Sequence, residues 1–323
     1  MKNIRLFLIL GAVLFCFNPL IGSDKLNMFI GYNRFLDKNK NTILLLDYQI
    51  PYENLTFLAK NNGYFAELNV KVKITETDSI FLEHEINDII GVKNKADTSN
   101  RQKSYLNRLS FNLNKPFYTI QFSALDINSQ KNCFYEFHIE TLPPKSLLSD
   151  IELNSEVRPD TSQYLVKFKR NNVLYRSEPS ILFNKSLNDY IYLYLEIYNW
   201  NSTPETCLLN LSLEKDSLIA RDEYFDFQPG PGSESINLKI PLKDLNPGFY
   251  TETVVLQSSE RIEERNIEFC VIEEQEEIFF LFANPDEEYE LIRIFLGNKM
   301  PSDWSKMNQD TKRRYITQFW RDM

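Results

Sequence analysis

The sequence predicts a mainly β protein: two tandem β-sandwich domains of immunoglobulin or fibronectin-III type, followed by a short C-terminal α-helical segment. Three observations carry this. A turn containing proline delivers a Phe-Tyr pair into an apolar strand twice, as Leu113-Asn-Lys-Pro-Phe-Tyr118 and as Leu245-Asn-Pro-Gly-Phe-Tyr250. Each copy closes on a strand holding a cysteine, and the span is nearly equal: 21 positions from Tyr118 to Ile139, 22 from Tyr250 to Ile272. Short alternating strands with frequent turns fill both halves, and helical periodicity begins only after Ile272.

Taken in order, residues 1–23 read as a secretion signal. Lys2 and Arg5 supply the charged start, Leu6 to Phe17 the apolar core, and Ile21-Gly-Ser23 the small residues for cleavage. The apolar run is too short for a spanning helix, and no later segment is apolar enough to cross a membrane. Lipid anchoring at Cys16 wants a small residue before it, and Phe15 is bulky. Removing the leader leaves 34 basic and 45 acidic side chains, a net charge of −11. Such a surface repels phosphate backbones, so nucleic acid is not an expected partner. Nine glycines in 323 residues, with neither Gly-x-Gly-x-x-Gly nor a P-loop, argue against nucleotide-binding folds.

The first domain is expected over 24–142. Its clearest strand is 64–75, where Ala66, Leu68, Val70, Val72 and Ile74 alternate with polar neighbours. Further strands are expected at 43–50, 80–86, 106–113, 117–125 and 133–139, with a long polar loop at 93–103. Two prolines mark 143–147 as a linker. The second domain, 148–272, has strands expected at 164–168, 190–198, 208–213, 236–240, 249–256 and 267–272. In each copy the strand-opening tyrosine, Tyr118 or Tyr250, suits a tyrosine corner, whose hydroxyl ties back to nearby backbone. Cys207 and Cys270 fit either a bridge within the second domain or two buried thiols, and Cys133 a third.

After an acidic stretch, residues 273–277, Asn284 and Pro285 signal a helix start, with Asp286-Glu-Glu288 at its positive end. Leu291, Ile292, Phe295 and Leu296 form its stripe. A second helix is expected over 308–322, with Tyr315, Ile316, Phe319 and Trp320 on one face opposite Lys312, Arg313 and Gln318.

Catalytic machinery is hard to assemble from these residues. The only histidines are His84 and His138, and no spacing supplies three or four converging metal ligands. Neither is there a Gly-x-Ser-x-Gly elbow, and Cys133 and His138 lie an odd number of residues apart on one strand, facing opposite sides. The acids of 273–277 and 286–288 lack the regular spacing of a calcium loop. No cofactor is expected. The most suggestive stretch is Asp189-Tyr-Ile-Tyr-Leu-Tyr-Leu-Glu-Ile-Tyr-Asn-Trp200. With Ile191, Leu193, Leu195 and Ile197 inward, Tyr190, Tyr192, Tyr194 and Tyr198 line the outer face, to stack sugars, anchor a protein, or pack against the rest of the chain.

Residues 289–296, Trp304, and Thr311-Lys-Arg-Arg-Tyr-Ile-Thr-Gln-Phe-Trp-Arg-Asp322 resemble the start of the shared region of GWxTD-domain proteins, exported bacterial proteins in which helices follow two β-domains. Leu148-Ser-Asp-Ile-Glu-Leu153 and Leu195-Glu-Ile-Tyr-Asn199 add to the resemblance. The Gly-Trp-x-Thr-Asp motif itself is absent from this sequence. The resemblance implies an architecture and an envelope location, but no reaction. The expectation is an exported, non-enzymatic binding or assembly protein with an envelope protein or glycan as partner. The alternatives are an envelope glycan- or peptide-acting enzyme using acids the sequence does not single out, and a shortened gene product without its own function.

Overall fold

The computed structural model describes residues 25–60, 63–77, 79–201, 206–216, 218–273, 285–296, 304–307 and 309–322. The expected leader and most of the acidic stretch lie outside them. The chain divides after Glu273 into a β unit and a helical unit.

The β unit is two mainly antiparallel sandwiches in tandem, immunoglobulin/fibronectin-III-like in kind. The first uses β1 (Phe29–Leu36), β2 (Thr42–Pro51), β3 (Leu58–Lys60), β4 (Gly63–Glu76), β5 (Ser79–Val92), β6 (Ser104–Leu113), β7 (Phe117–Asp126) and β8 (Asn132–Glu140). Sheet I is β1-β2-β6; sheet II runs β5-β4-β7-β8, with β3 also paired to β4. Strand β4 buries Ala66, Leu68, Val70, Val72 and Ile74 against Leu44, Leu46, Tyr48 and Ile50 of β2. The alternation decides which face does so, because a one-residue slip would turn all five into water.

The second sandwich uses β9 (Glu152–Pro159), β10 (Lys169–Arg170), β11 (Val173–Ser177), β12 (Leu182–Asn184), β13 (Tyr190–Asn199), β14 (Cys207–Lys215), β15 (Leu218–Phe227), β16 (Gly232–Pro241), β17 (Gly248–Gln257) and β18 (Ile262–Ile272). Sheet III is β10-β11-β9-β13-β16 and sheet IV is β12-β18-β17-β14-β15, with β12 parallel to β18. Residues 164–168, expected as a strand, are instead a turn leading into a 3-10 turn over Val166–Phe168. Leu165 takes a left-handed φ of 47° there, which strand pairing does not tolerate.

The duplication reaches further than the sequence motif. The β4–β5 and β14–β15 hairpins both turn through a positive-φ residue, Thr77 at 54° and Asp216 at 51°. Both carry a register shift at the same point, after Ile74 and after Leu213. The corners also match. Tyr118 Oη accepts from the Lys115 amide at 3.0 Å, and Tyr250 Oη donates to the Asn246 carbonyl at 2.7 Å.

Between the sandwiches, sheet I lies on sheet III. Ile43, Leu45 and Phe35 meet Tyr175, Tyr194, Val157 and Val173; Leu36 and Leu142 meet Tyr198 and Trp200; Leu106 meets Phe168 and Leu174. The β unit is therefore four layers, II, I, III and IV, with three apolar seams. Strand β2 is covered on both faces, which explains its unbroken Ile43-Leu-Leu-Leu46 run.

The helical unit holds α1 (Pro285–Leu296) and α2 (Gln309–Asp322). Ile292, Trp304 and Ile316 are its buried centre, with Tyr289, Met307, Tyr315 and Phe319 packed around them. Lys312, expected on the polar face of α2, is buried instead. It sits one turn before Ile316, and its ammonium reaches Asp286 at 2.7 Å. The Trp320 side chain lies outside the described residues.

Candidate interaction surfaces

The tyrosine ladder of β13 divides in two. Tyr194 and Tyr198 are 4% and 1% exposed, enclosed by the first sandwich. Tyr198 Oη accepts the Leu36 amide at 2.8 Å, so its hydroxyl completes β1. Tyr190 and Tyr192 stay half-exposed at the far end, where the Lys239 ammonium lies 3.4 Å from the Tyr190 ring centre. That cation over two tilted rings is the part of the ladder that solvent reaches.

Around Tyr194 the junction holds a buried charge network. The Arg108 guanidinium from β6 donates to both oxygens of Asp47 at 2.6 and 2.7 Å and meets Glu152 of β9 at 3.3 Å. Arg170 donates to the same Glu152 at 2.6 Å. Two cations and two anions cancel. Burial would raise the Glu152 pKa, but the Arg108 and Arg170 charges overcome it and hold the carboxyl well below its usual range. Aromatic rings close the box: Arg170 stands 4.0 Å from the Tyr194 ring centre, and Arg108 4.4 Å from that of Phe168. Nearer the edge, Arg34 grips Asp150 in a fork at 2.8 and 2.9 Å. Asp47 and Glu152 are carboxylates from different domains that approach each other, but an arginine fills the space between them.

Neither histidine stands in a catalytic set. His84 lies edge-on to Phe111, and a ring nitrogen of His138 is 2.9 Å from Thr119 Oγ1 on the outer face of sheet II. Cys133, Cys207 and Cys270 are buried thiols, unbridged, and burial pushes the Cys133 thiol up to about 11. Among the described residues no group of three His, Cys, Asp or Glu could hold a metal ion. Asp286 and Glu288 pair with Lys312 and Arg313.

Two surfaces were not singled out by sequence. One is a groove of about 560 Å³ at the first corner, lined by Glu76, Lys115, Phe117, Thr119 and His138. Its signal was the Phe of the repeated motif, which points outward in both copies while the following Tyr is buried. The other is the outer edge of β15, whose acidic and aromatic mixture hides the alternation of a strand.

No family model matches the sequence, and no curated protein matches it. Among solved structures the chain is similar to red sea bream transglutaminase, at 8% identity and a TM-score of 0.23, over 77% of this chain and 32% of that one. It is also similar to a β-glucuronidase from Parabacteroides merdae, at 11% identity and a TM-score of 0.25, over 70% of this chain and 28% of that one. The chain spans about a third of the length of each.

Proposed function

We propose that this chain is an exported, non-enzymatic binding or assembly protein of the cell envelope, related to the GWxTD-domain proteins. The observation that supports the reading best is the junction. Where a two-domain enzyme would keep a cleft, Asp47, Arg108, Glu152 and Arg170 stack with Phe35, Phe168 and Tyr194 and leave no room for a substrate. A filled, charge-neutral junction makes the tandem a stiff platform, and stiffness suits a protein that positions partners through its outer faces. The leader-like residues 1–23 and the acidic surface agree with an envelope location.

On this reading the half-exposed Tyr190, Tyr192 and Lys239 patch contacts the partner. The test has two arms. Fractionation of cells expressing the tagged chain should place it outside the cytoplasm. Capture from envelope extracts should yield a partner that Tyr190→Ala with Tyr192→Ala loses. Cytoplasmic retention would end the export reading, and unchanged capture by the double variant would end the role of this patch.

A further inference from the structure

Strand β15 is the open edge of sheet IV: it pairs with β14 on one side and with no described strand on the other. Open edges are templates for further pairing, and proteins usually blunt them with like charges or keep them short. This one runs ten residues and exposes large apolar side chains, Leu218 at 73% and Tyr224 at 61%, with Ile219 and Phe225 also exposed. Its charges are what decide the partner. Arg221 and Glu223 stand two apart on the same face, their side chains joined at 2.6 and 2.7 Å and still partly open to water.

Reversed, that order is complementary to itself. If two β15 strands meet antiparallel with Asp222 opposite Asp222, each Arg221 faces the other copy's Glu223. The apolar pair Leu218 and Ile219 then meets Tyr224 and Phe225 from the other copy. Sliding by two residues either way sets Arg221 against Arg221 or Glu223 against Glu223, so one register alone joins unlike charges. The register shift at Ala220 lies outside this charged centre. The equivalent edge in the first sandwich, β5, carries Glu83, Glu85 and Asp88 with no lysine or arginine, and offers no such match.

We propose that β15 is a self-association edge: two copies of this chain pair antiparallel through Arg221 and Glu223, joining their five-stranded sheets into one. The interface is isologous, as a two-fold dimer requires. It depends on the second sandwich and stands whether or not the chain is exported.

The experiment is sedimentation equilibrium on the purified protein and on charge variants. The parent should dimerise reversibly, more weakly at high salt. Arg221→Glu and Glu223→Arg each place like charges opposite one another, and each should weaken the dimer by about tenfold or more. Mixing these two single variants should restore a dimer, and so should combining both changes in one chain. Circular dichroism melts on every variant guard against misfolding. A monomeric parent, or single variants that dimerise as well as the parent, would overturn the proposal. Single variants that stay monomeric when mixed would do the same.

Discussion

Glu252 and Ile120 occupy the same place in the two copies, two residues after the corner tyrosine and pointing inward. Ile120 is fully buried; Glu252 is buried among Leu213, Ile267 and Val254. Burial pushes the Glu252 carboxyl up to about 7, with Arg221 pulling down and Glu223 pushing up. The fold therefore disfavours its ionised form. Stability is greatest below the ordinary carboxylate range near 4.5 and declines as pH rises toward 7, by up to about 3 kcal/mol. Glu252→Ile, borrowing the first copy's residue, should raise stability at pH 8 and change little at pH 4, which urea melts at both values would show. Tyr198→Phe acts differently: it strands the buried Leu36 amide, and a loss of about 1–2 kcal/mol is expected in the same assay. Glu252 shares its face with Tyr250, Val254 and Leu256, all buried. Its shifted ionisation was not legible in the sequence, because that depends on what covers it.

At the scale of elements, the junction strands explain where sequence reading succeeded and stopped. In β4 one face meets water, and the alternation shows it plainly. In β2 and in the second half of β13 both faces are covered, so the outer residues are apolar or aromatic, and in β13 they read like exposed function. Nothing in the order of Tyr190 to Tyr198 tells a surface ladder from a seam; only the stacking of sheet I on sheet III does. Strands β9 and β10 lack an apolar alternation because charges interrupt them: Glu152 meets Arg108 across the junction and Arg170 within sheet III, while Arg158 pairs with Glu156 and Asp160 beside it. The corner tyrosines, by contrast, were legible from spacing, since their bonds close within four residues. Arg108→Ala should cost about 3–5 kcal/mol, because it leaves Asp47 and Glu152 buried without their shared cation. Lys71→Ala, which removes an exposed partner of Glu85, should move the same denaturation midpoint by less than about 1 kcal/mol.

Over the whole molecule, the tandem duplication and the change to helices after Ile272 were both legible, since turn chemistry and periodicity are local signals. How the copies pack was not, because it rests on which outer face each sheet gives up. That choice has a consequence. Sheets I and III are counterparts in the two copies, and each turns the same side toward the other. A simple translation along the chain cannot do this, whereas a half-turn can. The β unit is thus built as a homodimer would be, with the linker at Pro143-Pro144 tying the halves together. A protease site placed in that linker should be cut without separating them: the two halves should co-elute on gel filtration, and part once Arg34→Ala and Arg108→Ala remove the clasps to Asp150 and Glu152. The chain carries within itself a face-to-face association that two separate sandwiches would need two molecules to make.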